Sequence, residues 1–323
     1  MRHIKNENTI TKAFVLNEFG GVEKLILKDI EKPQVLESEV LIEVKAISIN
    51  PVDIRTRAGM AMAEHLKKYM PIILGWDIAG IVVEIGEKVT KFKTGDAVFG
   101  MVNFLGHGKG YAEFVSAPEN HLAKKPKNIS FEEAASATLA ALTAWQFLVN
   151  DANIKKGDKV LVQAASGGVG HYAVQIAKHF GAYVIGLSSF KNKDFVLSLG
   201  AAEYISYDKQ EVADIVKNAD IVIDPFAKEN LFKSLELTKE GGIIISLLPM
   251  IGEEIKEKAK EKNVKISYSL VTSNGENMQQ IAELLESGII KSHVSEIFSF
   301  EEMDNAHLAM ETGRTVGKIV IKV

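Results

Sequence analysis

The 323-residue chain contains no cysteine. That absence removes disulfides, thiolate nucleophiles and every cysteine-ligated zinc site. Charge of one sign is also missing: 38 Lys and Arg stand against 42 Asp and Glu, a net charge of −4. Such a balance points away from nucleic acid and anionic membranes as partners. No apolar run reaches the ~18 residues that span a bilayer. The segment Met1–Thr11 is polar and lacks the apolar core of a secretory signal. No membrane association and a cytoplasmic location are therefore expected. Repeats and low-complexity segments are absent as well. What is present is a 46% hydrophobic fraction, ordinary for a globular protein with sizeable cores. The length suggests about two domains.

One stretch organises the rest. Val160, Leu161 and Val162 form a short buried-type strand, followed by the small-residue turn Ala164-Ala165-Ser166-Gly167-Gly168-Val169-Gly170. Beyond it, Val169, Tyr172, Ala173, Ile176, Ala177 and Phe180 recur on one helical face, and Gly181 ends the helix. Strand, glycine turn and helix N-terminus together predict a dinucleotide site, the alternative being a plain tight βα connection, with Ser166, Gly167, Gly168 and Val169 expected to meet the pyrophosphate. The strict fingerprint has glycine where this chain has Ala165.

Before Ser130 the chain reads as short strands punctuated by glycines, a β-rich, partly open barrel. Ser130 and Glu133 form a capping box that opens an Ala-rich helix running to Val149. Strands and helices then alternate. Six strands, the last two at Ile243–Leu248 and Val264–Leu270, predict a doubly wound parallel sheet. The tail after Ser273 is too short to stand alone and is expected to return to the first domain.

An acid about 20 residues past the glycine turn would hold an NAD ribose. Here the second strand ends Ser188-Ser189-Phe190-Lys191-Asn192-Lys193, without one. Hydroxyls and lysines suit a 2′-phosphate. Ser188 and Lys193 are therefore the residues expected to select NADPH.

These residues, with others, carry a resemblance. The matching segments are Asn50-Pro51-Val52-Asp53 with Arg57 and Gly59, Gly75-Trp76-Asp77-Ile78-Ala79-Gly80, and Val89–Val98. They continue with Gly110-Tyr111-Ala112-Glu113, Ala140–Ala144, the glycine turn, and Gly317-Lys318-Ile319-Val320. In this order they resemble the zinc-independent medium-chain dehydrogenase/reductases of the quinone oxidoreductase (zeta-crystallin-like) group, in which a small residue at the position of Ala165 is usual.

The resemblance implies a GroES-like β-rich domain at 1–127, to which 272–323 returns, and a Rossmann domain at 128–271, with NADPH in the cleft between them. It implies reduction of quinones or α,β-unsaturated carbonyls by hydride transfer, with alcohol oxidation disfavoured. Zinc-dependent relatives carry a Cys near the Asn50 segment and a Gly-His-Glu motif where this chain has Gly75-Trp76-Asp77, so no metal is expected. Asn50 would lie beside the nicotinamide and serve cofactor or acceptor, Thr143 beneath it. Tyr207, Leu247 and Arg314 would also touch the cofactor. Arg55, where relatives often have Tyr, and Tyr69 would line the substrate mouth. Asp77 is expected to form a structural ion pair with Arg57, the alternative being a proton donor. His171 and His179 are expected on a helix surface. A homodimer along the last strand of the second sheet is implied. The alternatives are a thioester enoyl reductase, with Lys67-Lys68 as its one basic hint, and a non-catalytic NADPH-binding protein.

Overall fold

The structure is a computed structural model that describes residues 9–323. The first eight residues of the polar N-terminal segment lie outside them. The chain divides into two compact units. One holds the described residues up to Leu139 with Thr272–Gly288 and Ser292–Val323; the other holds Ala140–Val271 with Ile289–Lys291.

The first unit is β-rich. Its strands are β1 (Ile10–Leu16), β2 (Leu25–Glu31), β3 (Glu39–Ile49), β4 (Ile72–Ile73), β5 (Asp77–Ile85), β6 (Ala97–Met101), β7 (Phe114–Pro118) and β8 (Ala123–Lys124). The long β3 is almost wholly buried and pairs antiparallel with both β5 and β7. In the second unit, the strands β9 (Lys159–Gln163), β10 (Tyr183–Ser188), β11 (Glu203–Ser206), β12 (Ala219–Asp224), β13 (Thr238–Ser246) and β14 (Lys265–Tyr268) follow. The tail then adds β15 (Val294–Ser299) and β16 (Lys318–Lys322) to the first unit. There β16 lies antiparallel to β3, with Ile319 opposite Ile49 and Ile321 opposite Ile47. A seven-stranded sheet in the order β15-β16-β3-β5-β6-β8, with β7 on β3, results beside a small β2-β1-β4 sheet.

In the second unit all six strands are parallel in the order β11-β10-β9-β12-β13-β14. This is the doubly wound order, with the chain direction reversing across the sheet beside β9. Val160, Leu161 and Val162 are fully buried between β10 and β12. The helix Gly168–His179 follows the turn. Gly170 is required there, because a Cβ would stand 2.1 Å from the Ala164 carbonyl oxygen.

Two expectations about helices need correction. The Ala-rich run is not one helix. It breaks after Ser136, resumes at Leu139–Trp145 and ends in a π-type turn, Gln146–Asp151. The hydroxyls of Ser136 and Thr138 bond back to Glu133 O and Ala135 O, each at 2.8 Å, which competes with the helix ladder. His171 is fully buried, its ring nitrogen 2.9 Å from Gly167 O, whereas His179 is exposed. Its helix is covered on more than the one apolar face. Gln175, for example, is buried and bonded to the backbone of Lys291.

Candidate active site

Three chain segments meet in the first unit: the residue after β3, the start of β5 and the start of β16. They bring together Asn50, Asp77 and Lys318, each at most 2% exposed. The Asn50 amide nitrogen donates to Asp77 Oδ2 at 2.7 Å. Lys318 Nζ donates to Asn50 Oδ1 and, at 3.1 Å, to Ile49 O, and it lies 3.9 Å from Asp77. An ammonium only donates and a carboxylate bound this way only accepts, so the orientation of the carboxamide is fixed. Asp77 Oδ1 accepts from Leu139 N at 3.0 Å. The break in the Ala-rich run thus frees a first-turn N–H to bind a buried carboxylate. Burial works against both charges, raising the Asp77 pKa and lowering that of Lys318, while their mutual attraction and the hydrogen bonds oppose it.

The helix Pro51–Arg57 begins here, and Asp53 Oδ2 accepts from Asn50 N at 2.7 Å. Asp53 is fully buried, and its Oδ1 has no hydrogen-bond partner among the described residues. Burial, and then the neighbouring Asp77 charge, push its carboxyl up to about 8. Asp77 and Arg57 do not pair. Arg57 turns to Glu311, to His307 Nδ1 at 3.2 Å and to Gly20 O at 3.2 Å. The helix places Arg57 next to the Met303–Glu311 helix, while Lys318 takes the place beside Asp77. His307 Nε2 lies 2.9 Å from Tyr111 Oη.

Arg55 is exposed, and Tyr69 is 45% exposed and stacked on His107 with ring centroids 5.8 Å apart. Neither touches the Asn50 cluster through a hydrogen bond. Trp76 is fully buried and donates to Gly106 O at 2.9 Å.

In the second unit the helix after the glycine turn has no side chain capping its N-terminus. Gly167, Gly168 and Val169 are half-buried there, and Ser166 receives a hydrogen bond from Asn192 Nδ2 at 2.9 Å. Thr143 Oγ1 is buried with no partner among the described residues. An uncapped helix start and an orphaned buried hydroxyl fit a dinucleotide. Ser188 is 2% exposed at the end of β10, while Lys193 and Tyr207 are exposed and Leu247 follows β13 half-buried. Asp208, next to Tyr207, accepts from Phe190 N at 2.9 Å and is held ionised chiefly by the Ser206 hydroxyl. Arg314 is exposed in the first unit, on the turn before β16.

Sequence reasoning missed Lys318 as a site residue. The signal was there: a lysine opening the otherwise apolar run Ile319-Val320-Ile321. Asp53 also had one, since Asn-x-x-Asp is the spacing of a helix-start box. The long-range Tyr111–His307–Arg57 array had none, because nothing local joins positions 250 apart.

Fold and site define a dinucleotide-dependent oxidoreductase with a GroES-like unit and a Rossmann sheet. Residues 36–127 match the alcohol dehydrogenase GroES-like domain, and 199–321 match a zinc-binding dehydrogenase model. The chain is 35% identical to a quinone oxidoreductase of Mus musculus over 97% of this chain and 98% of that protein. It is 34% identical to a 2-methylene-furan-3-one reductase of Solanum lycopersicum over 96% of this chain and 78% of that one. The solved quinone oxidoreductase of Coxiella burnetii superposes with a TM-score of 0.91 at 36% identity, covering 97% of this chain and 99% of that one. The chain belongs to the medium-chain dehydrogenase/reductase family, in its quinone-oxidoreductase group. The zinc that gives one matched model its name does not fit these residues. The resemblance puts a zinc-binding Cys near the Asn50 segment and a Gly-His-Glu motif where this chain has Gly75-Trp76-Asp77; an amide and an indole replace thiolate and imidazole, and the Trp76 N–H donates to Gly106 O. Among the described residues no group of three or more His, Asp or Glu is placed to hold a metal.

Proposed function

We propose that the protein reduces quinones or α,β-unsaturated carbonyls with NADPH and without a metal. When bound, NADPH supplies the hydride. Ser166, Gly167, Gly168 and Val169 hold the pyrophosphate through backbone N–H groups at the helix start. Thr143 offers its unpartnered hydroxyl to the nicotinamide end, and Leu247 packs against the cofactor. Ser188, Lys193 and Tyr207 take the 2′-phosphate, and Arg314 of the first unit is a further cofactor-binding residue. Arg55 and Tyr69 line the acceptor entrance. With an enone, hydride adds to the β-carbon and the electron pair moves to the carbonyl oxygen. An Asn50 N–H stabilises the oxyanion, and water protonates the α-carbon.

The observation that carries this reading is the Asn50 carboxamide, locked by an ammonium and a carboxylate in the segment near which the resemblance puts the zinc-binding Cys of metal-using relatives. An amide N–H donor can stabilise an enolate but cannot ionise an alcohol. A thioester enoyl reductase gains little support: of Lys67-Lys68, Lys67 pairs with Glu64 at 3.9 Å, and Lys68 lies over the Tyr69 ring. The same proposal includes a small-molecule substrate, no nucleic-acid or membrane partner, a cytoplasmic location and a homodimer formed along β14. No helix among the described residues is long and apolar enough to cross a membrane.

The test follows cofactor oxidation with 1,4-quinones, small enones and enoyl thioesters, with NADPH and NADH in parallel. Turnover of a quinone or enone with NADPH preferred is expected. Tight NADPH binding with no turnover of any acceptor would leave the non-catalytic reading. Equal rates with NADH would remove the role given to Ser188 and Lys193. Zinc found at one ion per chain would overturn the metal-free mechanism.

A further inference from the structure

We propose that Lys318 is a positioning residue for Asn50, fixing which end of its carboxamide faces the acceptor. The inference rests on the functional reading of Asn50 above.

Lys318 is 2% exposed, at the head of a strand whose next three residues, Ile319, Val320 and Ile321, are fully buried. A buried ammonium is costly unless it is hydrogen-bonded and its charge is balanced. Lys318 uses two on Ile49 O and Asn50 Oδ1, and its charge is balanced by Asp77 3.9 Å away. A lysine serving only to neutralise Asp77 would donate to that carboxylate directly. Here the direct donor to Asp77 is Asn50, and Lys318 grips the other end of the same amide.

The carboxamide is thus clamped between a cation on its oxygen and an anion on its nitrogen. Of its two N–H groups, one goes to Asp77 at 2.7 Å; among the described residues the second meets only Ser48 O, at 3.5 Å, the outer edge of hydrogen bonding. That second N–H is available to an acceptor oxygen. The ammonium on Oδ1 withdraws electron density from the amide and strengthens this donor. Without Lys318 the amide can rotate and present its oxygen, which would repel a developing oxyanion. Lys318 also holds the Ile49 carbonyl, which fixes the backbone entering Asn50.

A double-mutant cycle tests this. Asn50→Ala is expected to lower kcat for a quinone or enone by roughly 10²-fold, as for loss of an oxyanion donor. Lys318→Met is expected to lower kcat similarly, with the NADPH dissociation constant within about twofold of wild type. Combining the two should cost no more than Asn50→Ala alone, because Lys318 acts through Asn50. Losses that multiply would overturn the proposal.

Lys318→Met also strips Asp77 of its counter-charge, so Lys318→Met/Asp77→Asn serves as the charge-balanced variant. Its melting temperature should recover relative to Lys318→Met while its kcat stays low. Recovery of kcat along with stability would reduce Lys318 to charge balance. Lys318→Arg, which keeps the cation, should regain part of kcat.

An arm independent of turnover uses the Asn50 side-chain NH2 resonances of 15N-labelled protein, assigned by their loss in Asn50→Ala. They should exchange slowly in wild type and fast in Lys318→Met, or in the charge-balanced variant if the single does not fold. Unchanged exchange would overturn the proposal. A wild-type protein that reduces no acceptor yet shows this exchange difference would fail the functional reading and keep the positioning one.

Discussion

Arg57 Nη1 lies 3.2 Å from His307 Nδ1, and a guanidinium can only donate. His307 Nδ1 is therefore an acceptor, its proton sits on Nε2, and that N–H donates to Tyr111 Oη at 2.9 Å. Arg57 is itself anchored to Glu311. Burial, followed by the Arg57 charge, drives the His307 pKa down to about 3, so the ring is neutral across the physiological range.

Tyr111→Phe removes the acceptor and leaves the His307 N–H buried and unpaired. A loss of about 1–3 kcal/mol is expected, seen as a lower denaturant midpoint with an unchanged slope. A variant as stable as wild type would show that the Tyr111 hydroxyl is not the partner that matters.

Acid stability depends on histidines held neutral. His107 is pushed down to about 4, first by burial and then by Lys109, and its Nε2 accepts from Ile73 N at 2.9 Å. In the unfolded chain an imidazole titrates near 6.5. Between those values the unfolded state binds more protons, so stability falls as pH drops through 6.5. Asp53, raised to about 8, acts in the opposite sense: its protonated form is favoured by folding, and that contribution is lost progressively as pH rises from about 3.9, the unfolded value, to about 8. His107→Gln should flatten the wild-type stability curve between roughly pH 4.5 and 6 by about 1.4 kcal/mol per pH unit, one proton's worth. Parallel curves from urea titrations at several pH values would refute this.

Thr143→Val separates binding from folding. The hydroxyl has no partner among the described residues, so its loss should leave the melting temperature of the cofactor-free protein unchanged or raised. NADPH affinity should fall several-fold, by fluorescence titration. A drop in stability with unchanged affinity would assign the hydroxyl to the fold.

Asp208 makes cofactor choice testable from the other side. Its carboxylate receives Phe190 N in the loop proposed for the 2′-phosphate, where a second negative charge is repelled. Asp208→Asn should raise kcat/KM for NADPH several-fold and leave NADH nearly unchanged. Lys193→Ala should do the reverse to NADPH. No change in either ratio would place the 2′-phosphate elsewhere.

Much of this was legible in the chain. The β9 strand, its glycine turn and the helix beyond it are a local pattern, and the alternation that follows predicts a doubly wound parallel sheet with right-handed crossovers. The Ser130–Glu133 box formed as expected. What was not legible depends on distance. The sequence predicts an Asp77–Arg57 ion pair, yet Arg57 pairs with Glu311 and the cation beside Asp77 is Lys318, both from the far end of the chain. The break after Ser136 was hidden as well, since alanines favour a continuous helix and only the hydroxyls of Ser136 and Thr138 argue against one.

The placement of Lys318 on β16 has a consequence for assembly. Asn50 and Asp77 are synthesised early, and their cation is 268 residues away from Asn50 in sequence. Until β16 docks alongside β3, Asp77 lacks the Lys318 countercharge and residues 46–49 of β3 lack their partner strand on that edge. During synthesis the first unit therefore remains unfinished while the whole Rossmann sheet is made. Docking of β16 supplies both the cation of the Asn50–Asp77 cluster and the last partner of β3.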